Sequence, residues 1–338
     1  MELNISMTMH DLITNVKPKE FRPKITYGDT ISMAGSCFAE HIADKLGRYK
    51  YDILTNPFGI LFNPISIARS FERIANKEWY QENELVSQDG LFHSLDHHGS
   101  YSGKDKDVVL DTINTSIEKS YQHLTKSKFV FISLGSAIVY RFKKTGSIVG
   151  NCHKIPQNEF ESFRMSLTQC KQSLEEITHS IQKLSPLAHI IWTVSPVRHL
   201  RDGIEENQLS KSTLLLAIDQ HLKNQTHDGY FPAYEIMMDQ LRDYRFYARD
   251  LVHPSPLAID IIWDIFAETH LESHNKEIHQ QIEKIHRAKE HRFIQDDREA
   301  IKSFAGKQLK NIENLSSLYP DMNWKEERLY FFQLTEPD

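Results

Sequence analysis

Between residues 30 and 46 the spacing of apolar positions changes period. Ile31 and Met33 alternate with smaller or polar neighbours, as in a short buried strand. Phe38, Ala39, Ile42, Ala43 and Leu46 then recur at helical spacing and mark one apolar face. Gly35 lies between the two patterns and permits a sharp turn. The segment therefore reads as strand, tight turn and helix, with Ser36 at the junction. Further strands are predicted over residues 129–134 and 189–194, and helices over 110–124, 167–183, 212–223 and 234–242. Strands that alternate with helices favour a parallel sheet. Residues 90–103 are polar and turn-rich and read as a long loop. Ser255 and Pro256 are a cap and a first helical residue, and the apolar run behind them predicts a helix to about residue 269.

After residue 268 the pattern thins. Residues 274–314 are rich in Lys, Glu, Gln and His, with sparse apolar positions such as Ile278, Ile282, Ile285 and Phe293, which predicts one or two amphipathic helices. The histidines at 270, 274, 279, 286 and 291 are expected on solvent-facing surfaces. Residues 1–28 read as an arm packed along the domain. The expected layout is an arm over 1–28, an α/β domain over 29–269 and a charged helical extension over 270–338, without internal repeats.

Composition narrows the class. A chain of 338 residues can build one sizeable α/β domain with additions. Forty Lys and Arg stand against forty-six Asp and Glu, a mild acidic balance that gives no support to a nucleic-acid partner. No apolar stretch approaches the roughly 20 residues needed to span a bilayer. The first ten residues have neither a basic region nor a long apolar core, so no signal peptide is expected. Three cysteines form no disulfide framework, and a reduced cytoplasm is the simplest setting.

Two segments carry candidate chemistry. Ser36 lies where a helix begins, beside unpaired N–H groups and the positive end of the helix dipole. Those donors suit an oxyanion on a carbonyl attacked by Ser36, although most serines in this position only cap the helix. Asp250 and His253 lie on the loop that feeds the helix after Pro256. Their spacing lets a carboxylate reach Nδ1–H while Nε2 faces a substrate. Nucleophile, base and orienting acid are the three groups that hydrolytic acyl transfer needs. Eighteen histidines make a lone Asp-x-x-His weak, so its place at a late loop–helix junction is what informs.

The run Gly35-Ser36-Cys37-Phe38-Ala39 resembles the name-giving motif of the GSCFA family, bacterial proteins grouped with the SGNH (GDSL-like) hydrolases. Segments 56–64, 134–136, 151–154, 195–199 and 244–255 resemble the same family in the same order. The resemblance implies a three-layer α/β/α sandwich with a parallel sheet, Ser36 as nucleophile, His253 as base and Asp250 as orienting acid. It also implies an oxyanion hole built from the serine N–H, a second-block glycine and a third-block asparagine. Gly59 matches the second role. The third block, Gly135-Ser136-Ala137, lacks the asparagine, which leaves Asn63, Ser136 and Asn151 as alternative donors, Asn63 first. Asn63 could instead merely cap a turn before Pro64.

Other residues are weighed against plainer roles. Cys37 could be a reactive thiol at a helix start, but an apolar-flanked cysteine is more often inert. His153, in Asn151-Cys-His-Lys154, could enter the site. With no second cysteine pair a metal centre is not expected. His93, His97 and His98 read as substrate-facing or solvated. Arg198 and His199 follow a strand at the edge where α/β proteins bind ligands, and either could meet an anionic group. The combined reading is a cofactor-free serine esterase acting on a small-molecule or saccharide O-acyl ester. Acyl transfer, thioester cleavage and a non-catalytic binding role on the same fold are the alternatives. The oligomeric state is not legible in the sequence.

Overall fold

The computed structural model describes residues 13–293 and 297–336. The expectations placed on residues 1–10 lie outside that range. Five parallel strands form the centre: β1 (Thr30–Gly35), β2 (Asp52–Thr55), β5 (Ser127–Leu134), β9 (His189–Val194) and β10 (Gly229–Tyr230), in the order β10-β9-β5-β1-β2. Because side chains alternate across a strand, β1 sends Ile31 and Met33 to one face and Ala34 to the other.

Helix α1 (Cys37–Arg48) and helix α7 (Pro256–His270) cover the first face, packing Phe38, Ile42, Ile262 and Phe266 against Ile31, Met33 and Phe131. Helices α2 (Pro64–Asn76), α3 (Lys106–Leu124), α4 (Leu167–Leu184) and α5 (Ile204–Leu222) cover the other face, with Phe71, Ile113, Ile177 and Leu214 over Val130, Ile132 and Trp192. The expected three layers are present. Crossover connections of this kind bury both faces, which is why β5 reads as a continuous apolar run.

Several expectations are corrected. Residues 90–103 are not one loop: β3 (Leu85–Gln88) pairs with β4 (Leu91–Ser94), whose short polar strands escape a pattern search. A second antiparallel sheet joins β6 (Ile138–Phe142), β7 (Ile148–Val149) and β8 (Phe160–Arg164). The helix expected over 234–242 is only α6 (Ala233–Glu235), running into a π-helical turn over Ile236–Gln240. Helix α5 begins eight residues before the expected start, because its first turns bury the polar Asn207, Ser210 and Lys211.

The C-terminal segment holds three helices, α8 (Asn275–Lys289), α9 (Arg298–Leu318) and α10 (Lys325–Gln333), around a core of their own. His270 and His286 are buried and His279 is partly buried, contrary to expectation. His270 stacks on Phe21 and Phe266, and His279 stacks on Tyr49 with ring centroids 4.0 Å apart. Only His274 and His291 of that group are exposed. Residues of the N-terminal segment lie along α7: Phe21 N donates to Thr269 O and Ile25 N to His270 O. No described helix is long and apolar enough to cross a membrane.

Candidate active site

Sequence dictates the turn at the end of β1. Gly35 has φ +131°, and a Cβ there would lie 2.1 Å from Ser133 O, so no other residue fits between β1 and β5. The turn places Ser36 at the N-cap of α1, yet its hydroxyl makes no capping bond. It hydrogen-bonds Ser133 Oγ at 2.8 Å instead, and Ser36 N donates to Ser133 O at 3.0 Å. Ser36 is 1% exposed. The plain capping role is therefore not what holds this serine.

Beside it, burial and the nearby Glu40 push the Cys37 thiol up, which keeps it protonated and argues against a reactive thiolate. A residue that the sequence reading passed over supports the turn from below. Asn56 Oδ1 accepts from Gly35 N at 2.9 Å, and its Nδ2 donates to Glu40 Oε1 at 3.1 Å. Asn56 has φ +44°, a conformation that asparagine tolerates better than most residues.

The second segment closes as the spacing predicts. Asp250 Oδ1 accepts from the N–H groups of Val252 (2.9 Å) and His253 (3.0 Å), and Oδ2 lies 2.7 Å from His253 Nδ1. Those two N–H groups and the imidazole hold the Asp250 carboxyl down at about 2. A carboxylate beside Nδ1 keeps the proton there and leaves Nε2 an acceptor. Leu251 adopts φ +59° to complete this tight turn, and Ser255 and Pro256 then start α7 as expected. Both side chains of the pair are about half exposed.

The loop reaches the carboxyl end of the sheet. Val252 O accepts a long bond from Arg198 N (3.4 Å), and the charge of His253 is felt by His41 on α1 and by His199. Among the described residues no hydrogen bond joins Ser36 to His253.

The remaining candidates divide. Gly59 N donates to Asn56 O at 2.7 Å, so neither this N–H nor that of Ser36 stands free. Asn63 caps α2 through Oδ1, which accepts from Ser66 N at 2.8 Å; its Nδ2 has no protein partner among the described residues. Gly135 must be glycine, because a Cβ would lie 2.5 Å from Phe62 Cβ; its N–H and that of Ser136 both donate to Phe62 O.

The Ser136 hydroxyl accepts from Ile138 N and meets Ser210 Oγ, which engages it within the β5–β6 turn rather than at Ser36. Asn151 and His153 belong to the β3–β4 side: Asn151 Oδ1 accepts from His153 N, while the His153 ring stacks on His93 and its Nε2 bonds Ser94 O at 2.7 Å. His93 and His97 are buried there too, which corrects their expected solvated or substrate-facing roles.

Arg198 and His199 lie beside the Asp250 loop. His199 Nε2 is buried without a partner among the described residues, and burial, with Lys211 and His253 adding, lowers the ring to about 4. Lys211, which the sequence did not single out, is fully buried and donates to Ser195 O at 2.7 Å. Burial lowers its ammonium to about 7, opposed by Cys37 and reinforced by Arg198.

The arrangement defines a three-layer α/β/α protein whose first strand delivers a serine, and whose last crossover delivers an acid-oriented histidine, to one end of a parallel sheet. Residues 30–266 match the GSCFA family and residues 282–336 match the C-terminal domain of GSCFA domain proteins; the chain belongs to this family.

No protein of curated function matches it in sequence. Solved structures similar to it include a carbohydrate esterase family 3 protein from Talaromyces cellulolyticus (10% identity, 76% of this chain and 99% of that one, TM-score 0.34). A Clostridium thermocellum family 3 carbohydrate esterase is 10% identical over 71% of this chain and 93% of that one, with TM-score 0.33. The acetyl xylan esterase Est2A from Butyrivibrio proteoclasticus is 9% identical over 72% and 65%, with TM-score 0.37.

Proposed function

We propose that this protein is a serine esterase of the SGNH type, cleaving an O-acyl ester through Ser36, His253 and Asp250. The observation that carries the reading is the 2.7 Å contact between Asp250 Oδ2 and His253 Nδ1, on the loop that meets the end of β9. The carboxylate sets the tautomer, so Nε2 can take the Ser36 proton as the hydroxyl attacks the carbonyl. The imidazolium then returns that proton to the leaving alcohol. Water repeats the cycle on the acyl-enzyme.

In this reading the structure is a resting form. Ser36 Oγ turns from Ser133 to His253 when substrate enters, a rotamer change of the kind that apo sites commonly need. Asn63 Nδ2 supplies a side-chain donor to the oxyanion from the loop that already abuts Gly35 through Leu61 N and Gly35 O (3.1 Å). Arg198 and His199 flank the acyl side, and the reaction needs no cofactor.

The engaged N–H groups of Ser36 and Gly59 favour a second reading, a non-catalytic binding protein that keeps the fold. A fluorophosphonate probe separates the two. The wild type should label covalently, Ser36→Ala should not, and Asp250→Asn should slow turnover of acetylated sugars on the order of 10⁴-fold with its fold retained. Wild-type protein that resists the probe while staying folded sinks the esterase.

A further inference from the structure

A groove of about 760 Å³ opens between α1 and α3, on the β2 side of Ser36. Glu40 and Asp44 form one wall, Asp111, Thr115 and Lys119 the other, and Asn56 lies at its base. Ser36 does not line it, but Asn56 does, and Asn56 holds both Gly35 N and the Glu40 carboxylate. The groove therefore ends one residue from the candidate nucleophile.

Its size falls in the range of about 300–1,000 Å³ usual for small-ligand sites, yet its lining departs from their mostly apolar character. Hydroxyl and carboxylate groups dominate. Such walls complement a ligand that offers many hydroxyls, because each carboxylate accepts from two or more donors. The charge balance narrows the ligand further. Three carboxylates face one cation, Lys119, among the described lining residues, and Asp44 and Asp111 form no ion pair among the described residues. An anionic ligand would be repelled, and an ammonium group would be attracted.

We propose that this groove binds a polyhydroxylated sugar carrying a protonated amine, as the alcohol portion of the ester. Its placement as the leaving group rests on the esterase reading above; the groove's preference for a cationic polyol does not. The acyl carbon would lie over Ser36 while the sugar extends past Asn56 along α1 and α3.

Binding should be measured by calorimetry on folded Ser36→Ala protein, which removes turnover from the readout. The probes are a glucosamine trimer, cellotriose and trigalacturonic acid. The glucosamine trimer should bind tightest and the acidic trimer weakest. Asp44→Asn and Asp111→Asn, both at exposed positions, should each weaken the glucosamine trimer by up to about fivefold and leave cellotriose unchanged, as expected for a solvent-exposed charge contact. Added salt should erase the difference between those two ligands.

Equal or tighter binding of trigalacturonic acid overturns the proposal. So does a glucosamine trimer that fails to bind, or one indifferent to both substitutions. Protein that binds the trimer but resists fluorophosphonate overturns the esterase and leaves the groove; protein that labels but binds no trimer does the reverse.

Discussion

Ser36 Oγ lies 2.8 Å from Ser133 Oγ, and each residue is 1% exposed. The two sit together because register pairs Gly35 with Ser133 across β1 and β5, and the turn at Gly35 then folds Ser36 back over its neighbour's partner. The bond stabilises a rotamer in which the hydroxyl faces the sheet rather than the imidazole.

Ser133→Ala should release that hold. A buried hydrogen bond contributes about 1 kcal/mol, so the substitution should lower stability by about that much and raise the rate of fluorophosphonate labelling by up to about fivefold. Labelling rates of matched, folded samples decide it. A fall in rate would make Ser133 a helper of the attacking serine instead of a restraint.

Asn63 serves two ends of one amide, and a pair of substitutions separates them. Asn63→Asp keeps the oxygen that accepts from Ser66 N but removes the Nδ2 donor. Melting temperature should stay near wild type while kcat falls on the order of 100-fold, the usual cost of one oxyanion donor. Asn63→Ala should lose the same activity and also about 1 kcal/mol of stability with the cap. Undiminished kcat in Asn63→Asp, measured on any ester that the wild type cleaves, removes the donor role.

The Lys50–Glu327 contact predicts a pH dependence. Lys50 Nζ lies 2.7 Å from Glu327 Oε1, and His286 Nε2 lies 3.5 Å from the same oxygen. Burial pushes the Glu327 carboxyl up, but His286 and Lys50 outweigh it and hold the group at about 2, against an ordinary 4.5. A carboxyl held lower in the folded state binds fewer protons there than in the unfolded chain. Its stabilisation is therefore complete above pH 4.5 and is lost as the pH falls toward 2. Melting temperatures across that window should drop more steeply for the wild type than for Glu327→Gln. Parallel curves would show that the pair contributes nothing.

Legibility followed locality. Gly35, Ser36, Asp250, His253, Ser255 and Pro256 act within a few residues of one another, and the sequence exposes all of them. Ser133 escaped because its relation to Ser36 depends on register between strands ninety-seven positions apart. Asn56 escaped as a residue although its segment was noticed; a left-handed asparagine before a proline was the available signal. The first turns of α5 were hidden because they bury polar groups, with Lys211 reaching Ser195 O and Asn207 Oδ1 accepting from His199 N, so no apolar stripe marks them. Asn151 and His153 looked chemical because His, Cys and Asn in one run suggest a site. Their bonding is satisfied against Ser94 and His93, which local sequence does not reveal.

Tyr49 and His279 stack at 4.0 Å, Tyr51 OH bonds His279 Nε2 at 3.1 Å, and Asn275 Nδ2 bonds the same hydroxyl at 2.8 Å. These contacts make the exit of α1 the floor on which the last three helices stand. The change in composition after residue 268 thus records how sparsely apolar surface is distributed beyond it, and not a place where the chain can be divided. A chain cut there would carry Tyr27, Tyr49 and Tyr51 as a bare aromatic strip on its catalytic-type domain, with Lys50 left without its acid. The extension is better described as a keystone: removing it unloads the arch that leads out of the serine's own helix.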